Sequence, residues 1–152
     1  MIKNPIQNFY PEDASICFGC GRNNAHGLHI QTFWDGEEGV AHFTPQPYHT
    51  GWPGAVYGGL LASLIDCHSI GTSIAAMYQA EGREPGTAPM IQCVTGTLHV
   101  VYLRPTPIDA ELTLRAHIKE LTPRKAIVET SLTANSEECV RAEVIAVRLK
   151  QG

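Results

Sequence analysis

The sequence predicts an α+β fold in which a curved antiparallel sheet wraps one long helix, and three observations lead there. The segment from about Tyr57 to Tyr78 is apolar on nearly every side, carrying Leu60, Leu61, Leu64, Ile65, Ile70, Ile74, Ala75, Ala76 and Met77. A helix of that kind has to be buried. Strand-like segments stand on either side of it, two before and four after, with no alternation of strand and helix to demand a parallel sheet. At about 1.5 Å per residue the helix spans roughly 30 Å, the width of a small domain, so a sheet curved around it is the simplest way to cover it.

The elements follow in order. Residues 1–26 contain Pro5, Pro11, Gly19, Gly21, Asn23 and Asn24, and are expected to form an irregular lead-in of loops and short turns ahead of a folded domain over 27–150. Leu28, Ile30 and Phe33 alternate loosely, Asp35-Gly36-Glu-Glu-Gly39 signals a turn, and Val40 to Phe43 returns, which makes a first hairpin. Pro45, Pro47, Gly51, Pro53 and Gly54 interrupt regular structure until the helix opens near Tyr57 or Gly58, and Gly82, Pro85, Gly86 and Pro89 end it. Between Ala110 and Glu120, Leu112, Leu114, Ala116 and Ile118 alternate with Glu111, Thr113, Arg115, His117 and Lys119, the period-two pattern of a strand with one wet face. Cys93 to Leu103, Ala126 to Ala134 and Cys139 to Leu149 read as further strands. Their short connections predict an antiparallel meander.

Composition narrows the function. A chain of 152 residues with 43% hydrophobic content suits one domain. Its net charge of -4, with no basic run longer than Arg124-Lys125, argues against nucleic acid as a partner. The N-terminus lacks an apolar signal core and no stretch reaches the roughly 18 to 20 apolar residues of a bilayer span, so a soluble, cytoplasmic protein without membrane contact is expected. Five cysteines at scattered positions are expected to remain reduced.

One side chain stands out against this background. Asp66 is the only acid between the Asp35–Glu38 cluster and Glu81, and its neighbours Leu64 and Ile65 leave an ionised group in costly surroundings unless it is paired, hydrogen-bonded or used. Burial against a backbone or Ser69 partner is the bland alternative. Upstream, Gly58-Gly59 opens the helix, either as a tight entry alone or as a place where a ligand approaches the backbone. Cys17-x-x-Cys20 with His26 and His29 offers four zinc ligands at short spacing, although Gly19, Gly21 and the asparagines suit a plain turn, and no metal is expected. Cys67 in its apolar helix reads as packing. His68, about 200° around the helix from Asp66, should not face the same site within one chain.

The motif Pro53-Gly54-Ala-Val-Tyr57-Gly58-Gly59 followed by Asp66, Tyr102-Leu-Arg-Pro105, and the lead-in Cys17-Phe-Gly-Cys-Gly21-Arg-Asn23-Asn-Ala-His-Gly27-Leu28 together resemble the hotdog-fold thioesterases of the PaaI-like group. The resemblance implies hydrolysis of an acyl-CoA thioester without metal or redox cofactor. It implies Asp66 as base or nucleophile and the Gly58 amide, beside Gly59, as the group that polarises the thioester carbonyl. The unpaired N–H groups and dipole of a helix start are suited to such an oxyanion. Gly58 and Asp66 are eight residues apart, about 12 Å along one helix, too far to meet at one carbon. A homodimer with sites shared between subunits is therefore predicted, in agreement with the dimers and dimers of dimers of these thioesterases.

Tyr57 departs from the pattern, since many relatives carry His before the glycine pair. A phenol of reference pKa near 10 is no neutral-pH base but can donate a hydrogen bond. An acyl-thioester binding or sensing protein on the same fold is thus the alternative, and Tyr57 argues against a third reading, a dehydratase. Arg104 and Arg124 are candidate contacts for the phosphorylated end of CoA. Thr95 and Thr97 are candidate lining residues of the acyl tunnel.

Overall fold

The chain threads two short strands, one helix and four long strands, with residues 3–151 described by a computed structural model. Strand β1 (Phe33–Trp34) and β2 (Glu38–Phe43) form the first hairpin, α1 runs from Gly58–Ala80, and β3 (Cys93–Tyr102), β4 (Leu112–Leu121), β5 (Lys125–Ala134) and β6 (Glu137–Arg148) follow. All pairings are antiparallel, in the order β1-β2-β4-β5-β6-β3, and the sheet covers α1 as expected.

The meander holds for only three of its four strands. β4, β5 and β6 are consecutive neighbours, and Asn135 and Ser136, both with positive φ of 52° and 64°, make the tight turn between β5 and β6 that a right-twisted hairpin favours. β3 instead lies beyond β6 at the far edge, pairing Thr95 with Ala146 and Tyr102 with Val140. The segment after β3 carries Pro105 and Pro107, which do not make a two-residue hairpin. It is pinned to the loop before α1: Val56 N–H donates to the Thr106 carbonyl at 2.8 Å and Ile108 N–H to that of Gly54 at 3.0 Å. The connection thus crosses the mouth of the fold instead of turning back.

Apolar residues pack on α1 from the sheet at both ends. Leu61, Leu64 and Ile65 meet Leu112, Leu114, Leu132, Val140 and Val144, while Ile74, Met77 and Tyr78 meet Trp34, Val128 and Ala146. By length and a mean hydropathy of 1.4, α1 would suffice to cross a membrane, contrary to the sequence expectation. Its apolar circumference is accounted for by the sheet around it. The lead-in also does more than precede the core. Ile6 is fully buried in the second cluster, its N–H donates to the Thr32 carbonyl at 2.9 Å, and the Gln7 side chain bonds Thr32 on both its N–H and its hydroxyl.

His68 ties α1 to that hairpin. It is wholly buried, with Nε2 3.0 Å from the Gly39 carbonyl and Nδ1 2.8 Å from the Thr32 hydroxyl. A neutral ring satisfies both, donating from Nε2 and accepting at Nδ1, and burial lowers its pKa to about 4. Because the folded value lies below the unfolded one near 6.5, this contribution is complete above pH 6.5 and is lost as pH falls toward 4, amounting to about 3 kcal/mol. Urea unfolding at pH 7 and pH 4.5 should show that loss, and His68→Gln should remove it. Asp66 shifts in the opposite sense, so the comparison belongs in an Asp66→Asn background. Equal pH dependence with and without His68 would refute the assignment.

Candidate active site

Asp66 sits midway along α1, on the wall of a cavity of about 340 Å³ whose apolar lining includes Ile70, Ile74, Ile91 and Val94. Thr95 on β3 reaches over it, its hydroxyl donating to Asp66 Oδ1 at 2.5 Å. A bulge sets that contact: Thr95 pairs with Ala146 and Thr97 with Ile145, leaving Gly96 between them. A Cβ there would stand 2.9 Å from Val147, so the bulge needs glycine. No cation pairs with Asp66 among the described residues. Burial raises its pKa above the ordinary carboxylate range, the Thr95 hydrogen bond offsets part of that, and the nearby Cys17 sulfur adds to it. The carboxylate is therefore oriented, partly desolvated and more basic than a surface aspartate.

The glycine pair forms a separate station. Gly58 and Gly59 begin α1 behind Tyr57, whose side chain makes no capping hydrogen bond, and neither glycine N–H has an acceptor among the described residues. Tyr102 donates to the Gly58 carbonyl at 2.7 Å. The Tyr57 ring lies over Gly59 so closely that a Cβ would come within 2.6 Å of it, and the phenol remains 58% exposed. None of Tyr57, Gly58 and Gly59 borders the Asp66 cavity. On one continuous helix the two stations stand about 12 Å apart.

The remaining candidates divide. Thr95 joins Asp66, whereas Thr97 lies past the bulge, exposed and outside the cavity. Arg104 pairs with Glu137, and Arg124 lines a different cleft with Pro89, Arg148 and Lys150. His26 lines another groove and His29 bonds the Asn24 carbonyl, so neither joins Cys17 and Cys20. Cys67 does, with all three thiols on the wall beside Asp66. From sequence alone Cys67 reads as packing in an apolar helix, and its place next to Asp66 is the one signal of another role. Tyr102 was likewise visible only as part of a motif.

One long helix packed against a six-stranded antiparallel sheet defines the hotdog fold. The pattern of the thioesterase superfamily matches residues 53–140, and the chain belongs to that superfamily. It is similar to a thioesterase superfamily protein of Shewanella loihica PV-4, with 42% identity over 83% of this chain and 96% of that one, and a TM-score of 0.66. A hypothetical thioesterase of Streptococcus pneumoniae TIGR4, solved with coenzyme A, shares the fold at 17% identity, covering 80% of this chain and 88% of its own, with a TM-score of 0.64. Acyl-coenzyme A thioesterase THEM4 of Xenopus laevis is 25% identical over 111 residues, which span 73% of this chain and 44% of that relative's length.

Proposed function

We propose that the protein hydrolyses an acyl-CoA thioester to the free acid and CoA. The observation that carries this is Asp66, a hydrogen-bonded carboxylate with no cation partner among the described residues, on the wall of an apolar cavity in a chain of the thioesterase superfamily. Asp66 takes a proton from the attacking water, or attacks the carbonyl itself to give a mixed anhydride that water then opens. Either route expels the CoA thiolate. The developing oxyanion needs the Gly58 amide, and a second copy of the chain supplies it. Supporting that arrangement, β3 is an edge strand with Val94, Leu98, Val101 and Tyr102 exposed, a surface suited to pairing with its own copy around a two-fold axis. The CoA-bound streptococcal neighbour and the amphibian acyl-CoA thioesterase favour CoA as the thiol.

Thiol release from short, medium, long and aromatic acyl-CoAs tests the reading, with turnover expected on at least one. Measurable binding of these esters without turnover would favour the acyl-thioester sensor instead, the reading that the exposed Tyr57 in place of a histidine supports. The pH profile gives a second check. Catalysis needs the ionised carboxylate, and burial has raised its pKa, so kcat/KM should fall with decreasing pH along a limb whose midpoint lies above the ordinary aspartate value near 3.9. A profile that stays flat down to pH 4 would count against Asp66 as the reacting group.

A further inference from the structure

Three sulfurs converge on the cavity wall where only one was expected near Asp66. The Sγ atoms of Cys17, Cys20 and Cys67 lie within 4.8 Å of one another, with Cys17 and Cys67 3.6 Å apart. Thiolates bound at about 2.3 Å to one tetrahedral ion stand about 3.8 Å from each other, so the cluster is spaced as a ligand set. Its loop is shaped for the task. In Cys17-Phe18-Gly19-Cys20-Gly21 the Gly21 N–H closes the turn on the Cys17 carbonyl at 2.8 Å. A Cβ on Gly21 would stand 2.4 Å from the Cys17 nitrogen, and one on Gly19 would stand 2.3 Å from the Cys67 sulfur. Both glycines are therefore what lets the loop lie against α1 with its thiols facing Cys67. The hydroxyl of Tyr10, buried and without a hydrogen-bond partner among the described residues, borders the same cavity. A donor left unpaired in such a place is ready for a ligand or water held there.

We propose that Cys17, Cys20 and Cys67 form a three-thiolate site for a thiophilic d10 cation, Zn²⁺ or Cu⁺, with any remaining coordination position on the side of the cavity shared with Asp66. Binding forms three metal–sulfur bonds and sends the thiol protons of the three cysteines to solvent, with no electron transferred. The site does not depend on thioester hydrolysis, since binding itself is what is measured.

The test uses the full chain, reduced and metal-free. Co²⁺, as a spectroscopic stand-in for Zn²⁺, should give a thiolate-to-metal band at one ion per chain that Zn²⁺ abolishes, or Cu⁺ should be taken at one ion per chain from a chromophoric Cu⁺ chelator; the two arms distinguish the ions. Cys17→Ser, at an exposed loop position, and Cys67→Ser should each weaken binding by about a hundredfold. Cys93→Ser, which lines the same cavity but lies outside the trio, should leave binding unchanged. Absence of stoichiometric binding in both arms, binding that survives Cys17→Ser in a folded protein, equal loss in Cys93→Ser, or a Cys17–Cys67 disulfide formed in place of a metal complex would overturn the proposal.

Discussion

Asp66→Asn is expected to reduce acyl-CoA hydrolysis by about a thousandfold or more while leaving the protein folded, because it removes the basic oxygen and keeps a similar shape. Asparagine retains a carbonyl to accept the Thr95 hydrogen bond that holds the side chain in place. Stability should move the other way. The folded pKa of Asp66 is raised, so its contribution favours the fold at low pH and is lost as pH rises through the folded value; at neutral pH the ionised group is a net cost. Calorimetry at pH 7 should therefore show a higher melting temperature for Asp66→Asn than for the parent chain. Activity within tenfold of the parent would remove Asp66 from the chemistry, and a lower melting temperature would mean that Thr95 and the cavity depend on the charge.

The second large effect concerns how the two stations meet. Gly58→Pro should abolish turnover with little structural cost, because it deletes one N–H at the first helical position, where proline is tolerated and that N–H has no acceptor among the described residues. Tyr57, at φ -57° and ψ 127°, already has the conformation that a following proline requires. Neither Gly58→Pro nor Asp66→Asn homodimers should turn over substrate. Mixing the two by refolding together should restore about a quarter of the parental activity, since half of the dimers are mixed and each holds one site with both parts intact. No recovery on mixing, with mixed dimers demonstrated by mass spectrometry, would refute the shared site.

Much of the fold could be read from the chain because its signals were local. The period-two alternation from Leu112 to Ile118, the breakers around α1 and the all-round apolar helix each depend only on residues near one another. The position of β3 could not be read that way. Nothing between Tyr102 and Leu112 announces that the connection is held by Gly54 and Val56 instead of closing a hairpin, since those bonds are made by backbone groups distant in sequence. The burial of Ile6 was hidden for the same reason. At the site, Asp66 and the glycine pair were visible as an anomaly and a spacing, and Thr95 as a residue on the next strand. Cys67 was not, because an apolar neighbourhood reads as packing until the loop holding Cys17 and Cys20 is laid against it. Arg104 and Arg124 show the converse, with charges in the expected loops that the structure turns to Glu137 and to another cleft.

The place of β3 at the sheet edge also decides when the site can exist during synthesis. β3 leaves the ribosome before β4, β5 and β6, yet among the described residues of its own chain the strand it pairs with is β6, which follows them all. Until residues 137–148 emerge, Thr95 has no strand to hold it over Asp66. The helix, the first hairpin and β4 with β5 can assemble earlier, but the carboxylate acquires its partner in the final step. Such long-range closure is slow compared with local pairing. A lesion in β6, more than forty residues from Thr95 and about eighty from Asp66, therefore reaches the Thr95–Asp66 contact directly.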